Sequence, residues 1–231
     1  MKIQIRNKTT DFKTYRAERV KSLFNPESGN TFNLDVNIDV DDMDWGLGLI
    51  VGPSGTGKTS IGKNLFGGGK MVDLYSGWPE DSPIVDEIGP GEPFNKVTGS
   101  LASVGLGDVP AWLRPFHALS NGQKFRAGLA REICQGNDNI IIDEFTSVVD
   151  RQIAKIGAMA FSKAWQRNKG KRAVLLSCHY DIIEWLQPDW VYNTGDNTLK
   201  KKASFSLDLN SSLTFTRSTE ITGNILKSIT I

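Results

Sequence analysis

The sequence predicts an α/β protein built on a mainly parallel β-sheet. Three short, continuous apolar runs have the pattern of strands that are covered on both faces, and they occupy residues 47–51, 139–142 and 173–178. Stretches with helical patterning lie between and beside them, at residues 58–66, 122–134 and 151–167. Buried strands that alternate with helices are joined by right-handed crossovers, and such crossovers place the strands parallel in one sheet.

Two further regions modify this plan. Residues 33–40, NLDVNIDV, alternate strictly between apolar and polar side chains. A strand with one buried face shows this alternation, so an antiparallel or edge strand is expected here. Between residues 67 and 118 the chain becomes rich in Gly and Pro, which predicts an insertion with short helices near residues 84–88 and 96–104.

Length and composition exclude several classes of protein. The 231 residues, 39% of them hydrophobic, can bury a substantial core without a disulfide or a structural metal. Two cysteines, Cys134 and Cys178, exclude a disulfide scaffold and a Cys-based zinc site, and they fit a reducing compartment. Because no stretch approaches 18 apolar residues and the amino terminus is charged, we expect a cytoplasmic protein without direct membrane insertion.

The charges balance overall but are unevenly distributed. The chain has 27 Lys and Arg against 26 Asp and Glu, which argues against a generally basic nucleic-acid binder. Residues 1–23 and 200–231 are nevertheless basic, and the residues between them are acidic. Nucleic-acid binding by the ends therefore stays open, and solvated termini are the alternative.

A phosphate-binding loop is the most specific motif in the chain. Residues 52–59, GPSGTGKT, match G-x-x-x-x-G-K-[ST] directly after a predicted buried strand and directly before a helix. Glycines let successive N–H groups surround a polyphosphate, and the dipole of the following helix favours its charge. Lys58 can reach the β- and γ-phosphates, and the Thr59 hydroxyl can ligate Mg²⁺. The predicted nucleotide-binding residues are Gly52, Ser54, Gly55, Gly57, Lys58, Thr59 and Ser60.

An acidic pair ends the second buried strand. In NIIIDEF at residues 139–145, Asp143 and Glu144 follow three Ile residues. Ligands collect at the carboxyl ends of parallel strands, so both carboxylates should lie beside the phosphates. Asp143 is the expected Mg²⁺ partner, and Glu144 can accept a proton from an attacking water. Simple solvation of a strand end is the alternative.

A third motif, LSNGQ at residues 119–123, narrows the class. Ser120 and Gln123 have the spacing of a capping box, which predicts Ser120 at the start of a helix. Together with GPSGTGKTS, IIIDEFTSVVD and LLSCH, this segment resembles the ordered motifs of ATP-binding-cassette (ABC) ATPases: Walker A, signature, Walker B with its D-loop, and switch histidine. The resemblance covers roughly residues 24–195, and Asn121 replaces the second Gly of the family's signature.

The resemblance implies Mg²⁺-dependent ATP hydrolysis within a head-to-tail homodimer that encloses two ATP molecules. In such a dimer the signature residues Ser120, Gly122 and Gln123 meet the γ-phosphate that the opposite subunit binds. Glu144 and His179 are then the implied catalytic residues.

Two further roles follow from the same resemblance. Asp150 corresponds to the D-loop aspartate, which helps communication across the dimer. An aromatic residue upstream of Walker A stacks on adenine in the family. Phe24 is at about the right distance, and Phe12, Tyr15 and Phe32 are the alternatives.

The sequence also departs from transporter ATPases. Lys58 and Ser120 are 62 positions apart, which implies a shortened helical insert. No Gln lies between Lys58 and Gln123, so the Q-loop glutamine that couples hydrolysis to membrane subunits is absent. Glu80 or Asp81 is a candidate to approach Mg²⁺ instead, with a solvated acidic loop as the alternative.

Three longer sequence segments resemble those of a particular branch of the family. RVKSLF, DEFTSVVDRQIAKIG and SCHYDIIEWLQPDWV resemble soluble ABC-type ATPases that are often fused to a GNAT-like acetyltransferase domain. The 231 residues leave no room for that domain, so we expect the ATPase part alone, with an acetyltransferase-like or other protein as partner.

The expected organisation is a basic segment (1–23), an ABC-type P-loop ATPase domain (24–200, insert about 67–118) and a Ser/Thr-rich tail (201–231). The expected fold is a mainly parallel sheet with an antiparallel β edge and a shortened helical insert. The expected function is a soluble, non-transporter ATPase switch. The alternatives are the ATPase subunit of a membrane transporter and, because of the basic ends, a nucleic-acid-dependent repair-type ATPase.

Overall fold

A computed structural model describes residues 2–8, 10–24, 31–67, 70–168 and 170–202. The strands are β1 (Lys2–Lys8), β2 (Thr31–Asn37), β3 (Leu47–Val51), β4 (Lys70–Val72), β5 (Ile140–Ile142), β6 (Ala173–Ser177), β7 (Trp190–Asn193) and β8 (Thr198–Lys201). The helices are α1 (Tyr15–Phe24), α2 (Lys58–Asn64), α3 (Ile84–Glu87), α4 (Phe94–Ser103), α5 (Val109–Trp112), α6 (Asn121–Gln135), α7 (Arg151–Trp165) and α8 (Ile182–Leu186). Short 3₁₀ turns occupy Leu65–Gly67 and Phe116–Ala118.

The central sheet has six strands in the order β4-β5-β6-β3-β7-β8. All neighbouring pairs are parallel except β7 and β8, which run antiparallel at one edge. The three predicted buried strands are β3, β5 and β6, and every residue of each is buried. The predicted fold class, a mainly parallel α/β sheet with an antiparallel edge, is confirmed.

A second, two-stranded sheet covers one side of the central sheet. β1 and β2 pair antiparallel, with Ile3 opposite Val36, and the apolar side chains of both strands join a core that includes Ile61 of α2 and Leu176 of β6. The predicted alternating strand is thus confirmed, although its hydrogen-bonded part ends at Asn37. The pattern continues beyond that end because Ile38 and Val40 are also buried.

The predicted domain boundaries stay predictions. β1 lies before residue 24 and nevertheless packs in the same core as β2. The predicted range of the insert contains β4, which pairs with β5 in the central sheet. The α-helices of the insert occupy only residues 84–112 of that range. Residues 203–231 of the predicted tail lie outside the described part of the chain.

The helical insert rests on the signature helix. α3 and α4 confirm the two predicted short helices, and α5 is an additional one. Val97 and Leu101 of α4 are buried in a core that they share with Phe125 and Leu129 of α6. Within the described ranges, no helix combines the length and the apolar character that crossing a bilayer requires.

Candidate active site

Three neighbouring strands bring the predicted motifs to one edge of the sheet. β6 lies between β3 and β5, and the register places Val51 beside Ser177 and Ile142 beside Leu175. Because the strands are parallel, the segments that follow them emerge on the same side. A cavity of about 400 Å³ opens there, lined by Ser54, Gly55, Gly57, Lys58, Thr59, Ser60, Asp143, Glu144, Ser147, Leu176, Ser177 and Cys178.

The phosphate loop ends at a helix that no side chain caps. Gly57 is the N-cap residue of α2 and has a left-handed backbone with φ of 90°. As a glycine it has no side chain that could cap the helix. The N–H groups of the first helical turn have no carbonyl partner within the helix. These groups are therefore available to an anion in the cavity.

The Lys58 ammonium lies over its own loop. Its Nζ donates to the carbonyl oxygen of Gly52 at 2.8 Å and to that of Pro53 at 2.7 Å. The side chain is half-buried and lines the cavity, so its positive charge lies beside the uncapped end of α2. Both features favour a polyphosphate.

The acidic pair has an unusual backbone. Glu144 has φ of 49° and Thr146 has φ of 69°, a left-handed region that costs a non-glycine residue about 1–3 kcal/mol. The Asp143 carboxylate accepts the Glu144 N–H at 2.9 Å, and the Phe145 N–H donates to the Leu176 carbonyl at 2.8 Å. The fully buried Phe145 ring fixes this turn in the core, so both carboxylates line the cavity in defined positions.

Ser177 joins the acidic turn to the segment that carries the predicted switch histidine. Its hydroxyl donates to the Phe145 carbonyl at 3.0 Å and accepts the His179 N–H at 3.1 Å. His179 itself is half-buried and does not line the cavity, although Cys178 does. Its Nδ1 is buried without a hydrogen-bond partner among the described residues, and the ring therefore retains an unused polar atom next to the site.

The signature segment forms the capping box that its sequence predicts. The Ser120 hydroxyl accepts the Gln123 N–H at 3.3 Å, and the Gln123 side chain accepts the Ser120 N–H at 3.0 Å. The same amide donates to the Asp108 carboxylate at 3.1 Å, which fastens the signature to the insert. A Cβ atom on Gly122 would lie 2.6 Å from Ile153 Cδ1, so α6 and α7 approach closely at this residue. None of the three predicted signature residues lines the cavity.

The remaining predicted residues lie apart from the cavity. The Asp150 carboxylate caps α7 by accepting the N–H groups of Gln152 and Ile153 at 3.0 and 2.9 Å. Phe24 ends α1 with 75% of its surface exposed and does not line the cavity. Glu80 and Asp81 are also exposed and do not line it.

One residue that supports the phosphate loop is not predicted from the sequence. Thr194 is buried directly after β7, and its hydroxyl lies 2.6 Å from the Thr56 hydroxyl and donates to the Val51 carbonyl at 3.2 Å. A Cβ atom on Gly52 would lie 1.9 Å from Thr194 Oγ1. Thr194 thus contacts the loop at both ends. It belongs to no linear motif, so only the pairing of β7 with β3 could have identified it.

A magnesium ion fits the side chains that line the cavity. The Thr59 hydroxyl and the Asp143 carboxylate are oxygen donors of the kind that Mg²⁺ prefers. Among the described residues, no group of three or more His, Cys, Asp or Glu side chains is arranged to hold a metal. The ion would therefore need phosphate oxygens as additional ligands, which is how Mg²⁺ is usually bound with a nucleotide.

An ion pair connects the start of α7 with the start of α8. The Arg151 guanidinium donates through Nε to the Asp181 carboxylate at 3.0 Å and through a second nitrogen to its other oxygen. This hydrogen bonding holds the pKa of Asp181 below its ordinary value, and His179 adds a smaller electrostatic contribution in the same direction. The pair thus joins the residue after Asp150 of the predicted D-loop to the residue two positions after His179.

Comparison with solved structures agrees with this architecture. The chain superposes on the dimeric structure of a bacterial ABC transporter cassette with a TM-score of 0.59 and 14% identity, covering 87% of this chain and 99% of that one. A post-hydrolysis state of that cassette, bound to ADP and phosphate, gives a TM-score of 0.57 over the same shares. At this identity the similarity establishes the fold.

Comparison with curated proteins adds sequence relatives, although no protein-family model matches the chain. The human ATP-binding cassette sub-family C member 2 is 28% identical over 200 residues, and the yeast oligomycin resistance permease YOR1 is 29% identical over 143. These matches cover 74% and 52% of this chain but only 12% and 10% of those proteins. The cytochrome c biogenesis ATP-binding export protein CcmA of Paracoccus denitrificans is 30% identical over 154 residues, 58% of this chain and 70% of that protein. The chain therefore belongs to the ATP-binding-cassette (ABC) family of ATPases.

Proposed function

We propose that this cassette binds ATP with Mg²⁺ in the cavity and hydrolyses it within a head-to-tail dimer of two copies. The observation that carries the proposal is the convergence of the phosphate loop, Asp143 and Glu144 on one cavity of about 400 Å³. A cavity with an uncapped helix end and a lysine on one side and two carboxylates on the other suits a bound metal–polyphosphate complex.

Each side of the cavity has its own role in this proposal. The phosphates would be surrounded by backbone N–H groups and hydroxyls of Ser54, Gly55, Gly57 and Ser60, which line the cavity, and of Gly52, which is buried at the start of the loop. Lys58 exchanges its two carbonyl partners for the β- and γ-phosphates. Thr59 and Asp143 would hold Mg²⁺, which neutralises phosphate charge when it is bound. We keep Phe24 as the candidate to stack on adenine.

Glu144 is the proposed general base. Its carboxylate accepts a proton from a water molecule as the water oxygen forms a bond to the γ-phosphorus, and the bond from that phosphorus to the bridging oxygen breaks, which releases ADP and phosphate. The left-handed turn at Glu144 and the Phe145 anchor keep the carboxylate at the cavity wall. His179 is the proposed hydrogen-bond partner of the γ-phosphate.

The dimer completes the site. Ser120, Gly122 and Gln123 do not line the cavity of their own chain, which supports their action on the ATP of a second copy. The dimeric form of the structurally similar bacterial cassette supports the same arrangement. Asp150 precedes α7, and α7 packs against Gly122, so the D-loop and the signature would approach the partner together.

Phosphate release tests the proposed activity. We expect Mg²⁺-dependent hydrolysis of ATP by the whole chain and its loss in Lys58→Ala, because that change removes the only Lys or Arg side chain lining the described cavity. Lys63→Ala, a change of the same type at an exposed position of the same helix, serves as the control. Equal activity of Lys58→Ala and Lys63→Ala would refute the proposed phosphate site.

The process that hydrolysis drives has two candidates. A soluble switch outside transport is supported by the absence of Gln between Lys58 and Gln123. A transporter subunit is supported by the names of relatives, which include the export protein CcmA and the nickel import ATP-binding protein NikO of Rhodobacter capsulatus. An acetyltransferase-like partner rests on the sequence phrases alone.

Fractionation of cells that express the tagged chain at native level separates these candidates. A soluble switch stays in the supernatant after high-speed centrifugation, with or without ATP. A transporter subunit sediments with membranes and is released by detergent together with a membrane-spanning protein, and that result would overturn the soluble assignment.

A further inference from the structure

One segment of the chain contains basic residues but no acidic ones. From Arg151 to Tyr180 the sequence contains seven Lys and Arg residues and no Asp or Glu. The chain as a whole has a formal charge of only +1, so this segment differs sharply from the rest. Part of it forms α7 and the turn that follows.

The positive side chains line a groove between α7 and α8. Lys155, Met159 and Lys163 are spaced four residues apart on α7, which places them on one face of the helix, and Arg167 follows in the next turn. The groove has a volume of about 580 Å³ and also includes Ser162, Gln166, Glu184, Trp185 and Gln187. Glu184 is its single acidic residue, so the groove carries a net positive charge.

Two of the cations have no partner in the described part of the chain. The side chains of Lys163 and Arg167 are exposed and form neither an ion pair nor a hydrogen bond there, unlike that of Arg151, which is paired with Asp181. Lys155 lies 5.9 Å from the Trp185 ring centroid and likewise has no carboxylate partner among these residues. Unneutralised neighbouring cations repel one another, and binding of an anion relieves that repulsion.

Apart from Met159 and Trp185, the residues that line the groove are polar or charged. The Trp185 ring is half-buried, and the cations of Arg151 and Lys155 lie 5.0 and 5.9 Å from its centroid, which leaves Met159 as the exposed apolar side chain of the groove. A peptide partner would need an apolar pocket for an anchoring side chain. Phosphate oxygens are instead contacted by Lys, Arg, Ser and Gln, the residue types that dominate this groove.

We propose that the groove lined by Lys155, Lys163 and Arg167 binds the phosphate backbone of a nucleic acid without reading its bases. The two lysines are separated by about 12 Å along the helix axis, and a strand of B-form DNA presents several phosphates over that distance. Contacts to phosphate oxygens carry no direct sequence information, so we expect recognition to be independent of sequence. This surface goes beyond the proposed ATPase function and does not depend on it.

Fluorescence anisotropy with a fluorescein-labelled DNA duplex of about 24 base pairs tests the proposal, at salt between roughly 50 and 200 mM. We expect Lys163→Gln/Arg167→Gln to lower duplex affinity about tenfold and the slope of log affinity against log salt by about 2. Lys63→Gln/Lys70→Gln removes the same charge from exposed positions elsewhere and is the matched control. Circular dichroism of both variants verifies that they are folded.

Three results would overturn the proposal. The first is no duplex binding at the low end of the salt range, and the second is an equal loss of affinity in the two double variants. The third is tighter binding of poly-glutamate than of the duplex with the same dependence on Lys163 and Arg167, which would assign the groove to an acidic polypeptide.

Discussion

Two helix N-termini of this molecule carry predicted anion-binding motifs, but they are built differently. α2 follows Gly57, has no side-chain cap, and opens directly on the cavity of about 400 Å³. α6 follows Ser120, is closed by a reciprocal capping box, and is fastened to the insert through Gln123 and Asp108. The first leaves its N–H groups to a ligand, whereas the second satisfies part of them internally.

The difference indicates a division of labour. The α2 end is suited to hold phosphates within one chain, because Lys58 and two carboxylates share its cavity. The α6 end does not line that cavity, and it suits a ligand already held by another copy. Variants at the two ends should therefore differ in kind: those at α2 should affect ATP binding, and those at α6 should affect only what requires the dimer.

The largest effect is expected for Glu144→Gln. Losing a general base typically slows proton transfer by about 10²–10⁴-fold, and hydrolysis should fall by that order while ATP binding persists. Phosphate release and fluorescent-ATP binding measure the two quantities separately. Glu184→Gln on α8 is the control, and an equal loss of activity there would place the proton acceptor elsewhere.

The next effect separates the two helix ends. Ser120→Arg should abolish hydrolysis without weakening ATP binding to the single chain, and Lys58→Ala should abolish both. Mixing the two inactive variants should restore up to about one quarter of wild-type activity, because random pairing makes half of the dimers mixed and each then holds one complete site. No recovery over a range of mixing ratios would mean that each site is contained in one chain.

A smaller effect is expected at the residue that supports the phosphate loop. Thr194→Val keeps the shape but removes the hydroxyl that contacts Thr56 and Val51. Removing this hydrogen bonding should cost about 1 kcal/mol of binding free energy and weaken ATP binding about fivefold. The rate of hydrolysis at saturating ATP should change less. Thr98→Val, which removes a hydroxyl bonded to the Phe94 carbonyl in the insert, should leave ATP affinity unchanged.

The smallest effect concerns the link between α7 and α8. Because Arg151 lowers the pKa of Asp181, the stabilisation from this pair is present above the ordinary Asp pKa and is lost as the pH falls through the lowered value. Asp181→Asn should lower the melting temperature by about 1 °C at neutral pH and should leave it unchanged at strongly acidic pH. The effect is small because both side chains of the pair are partly exposed to solvent. Asp138→Asn, the same change at an exposed position between α6 and β5, is the control, and a pH-independent difference in melting temperature would contradict the assignment.

The sequence predicts the residues that line the cavity better than the residues that hold them in place. The phosphate loop and the Asp143–Glu144 pair are continuous motifs next to buried strands, so local patterns sufficed. Thr194 and Ser177 act through contacts between neighbouring strands, and no linear pattern marks them.

The strands β1 and β4 are likewise not predicted, because their places in the fold depend on pairing with other strands. The sequence predicts only a basic segment where β1 lies, because its Lys and Arg residues obscure the alternation of Ile3 and Ile5. These two residues pair with β2 and enter the core. β4 is only three residues long and lies in a Gly-rich region, so its place at the edge of the sheet depends on β5 rather than on its own sequence.

Light scattering in the presence of ATP and Mg²⁺ tests the central claim most directly. The Glu144→Gln chain should have about twice the 25.5 kDa mass of one copy in ATP and return to one copy in ADP. Adding Ser120→Arg to that chain should keep it monomeric in ATP at the same micromolar concentration. A monomeric Glu144→Gln chain in saturating ATP, or a dimer that forms equally well with Ser120→Arg, would contradict a site completed by the signature of a second copy.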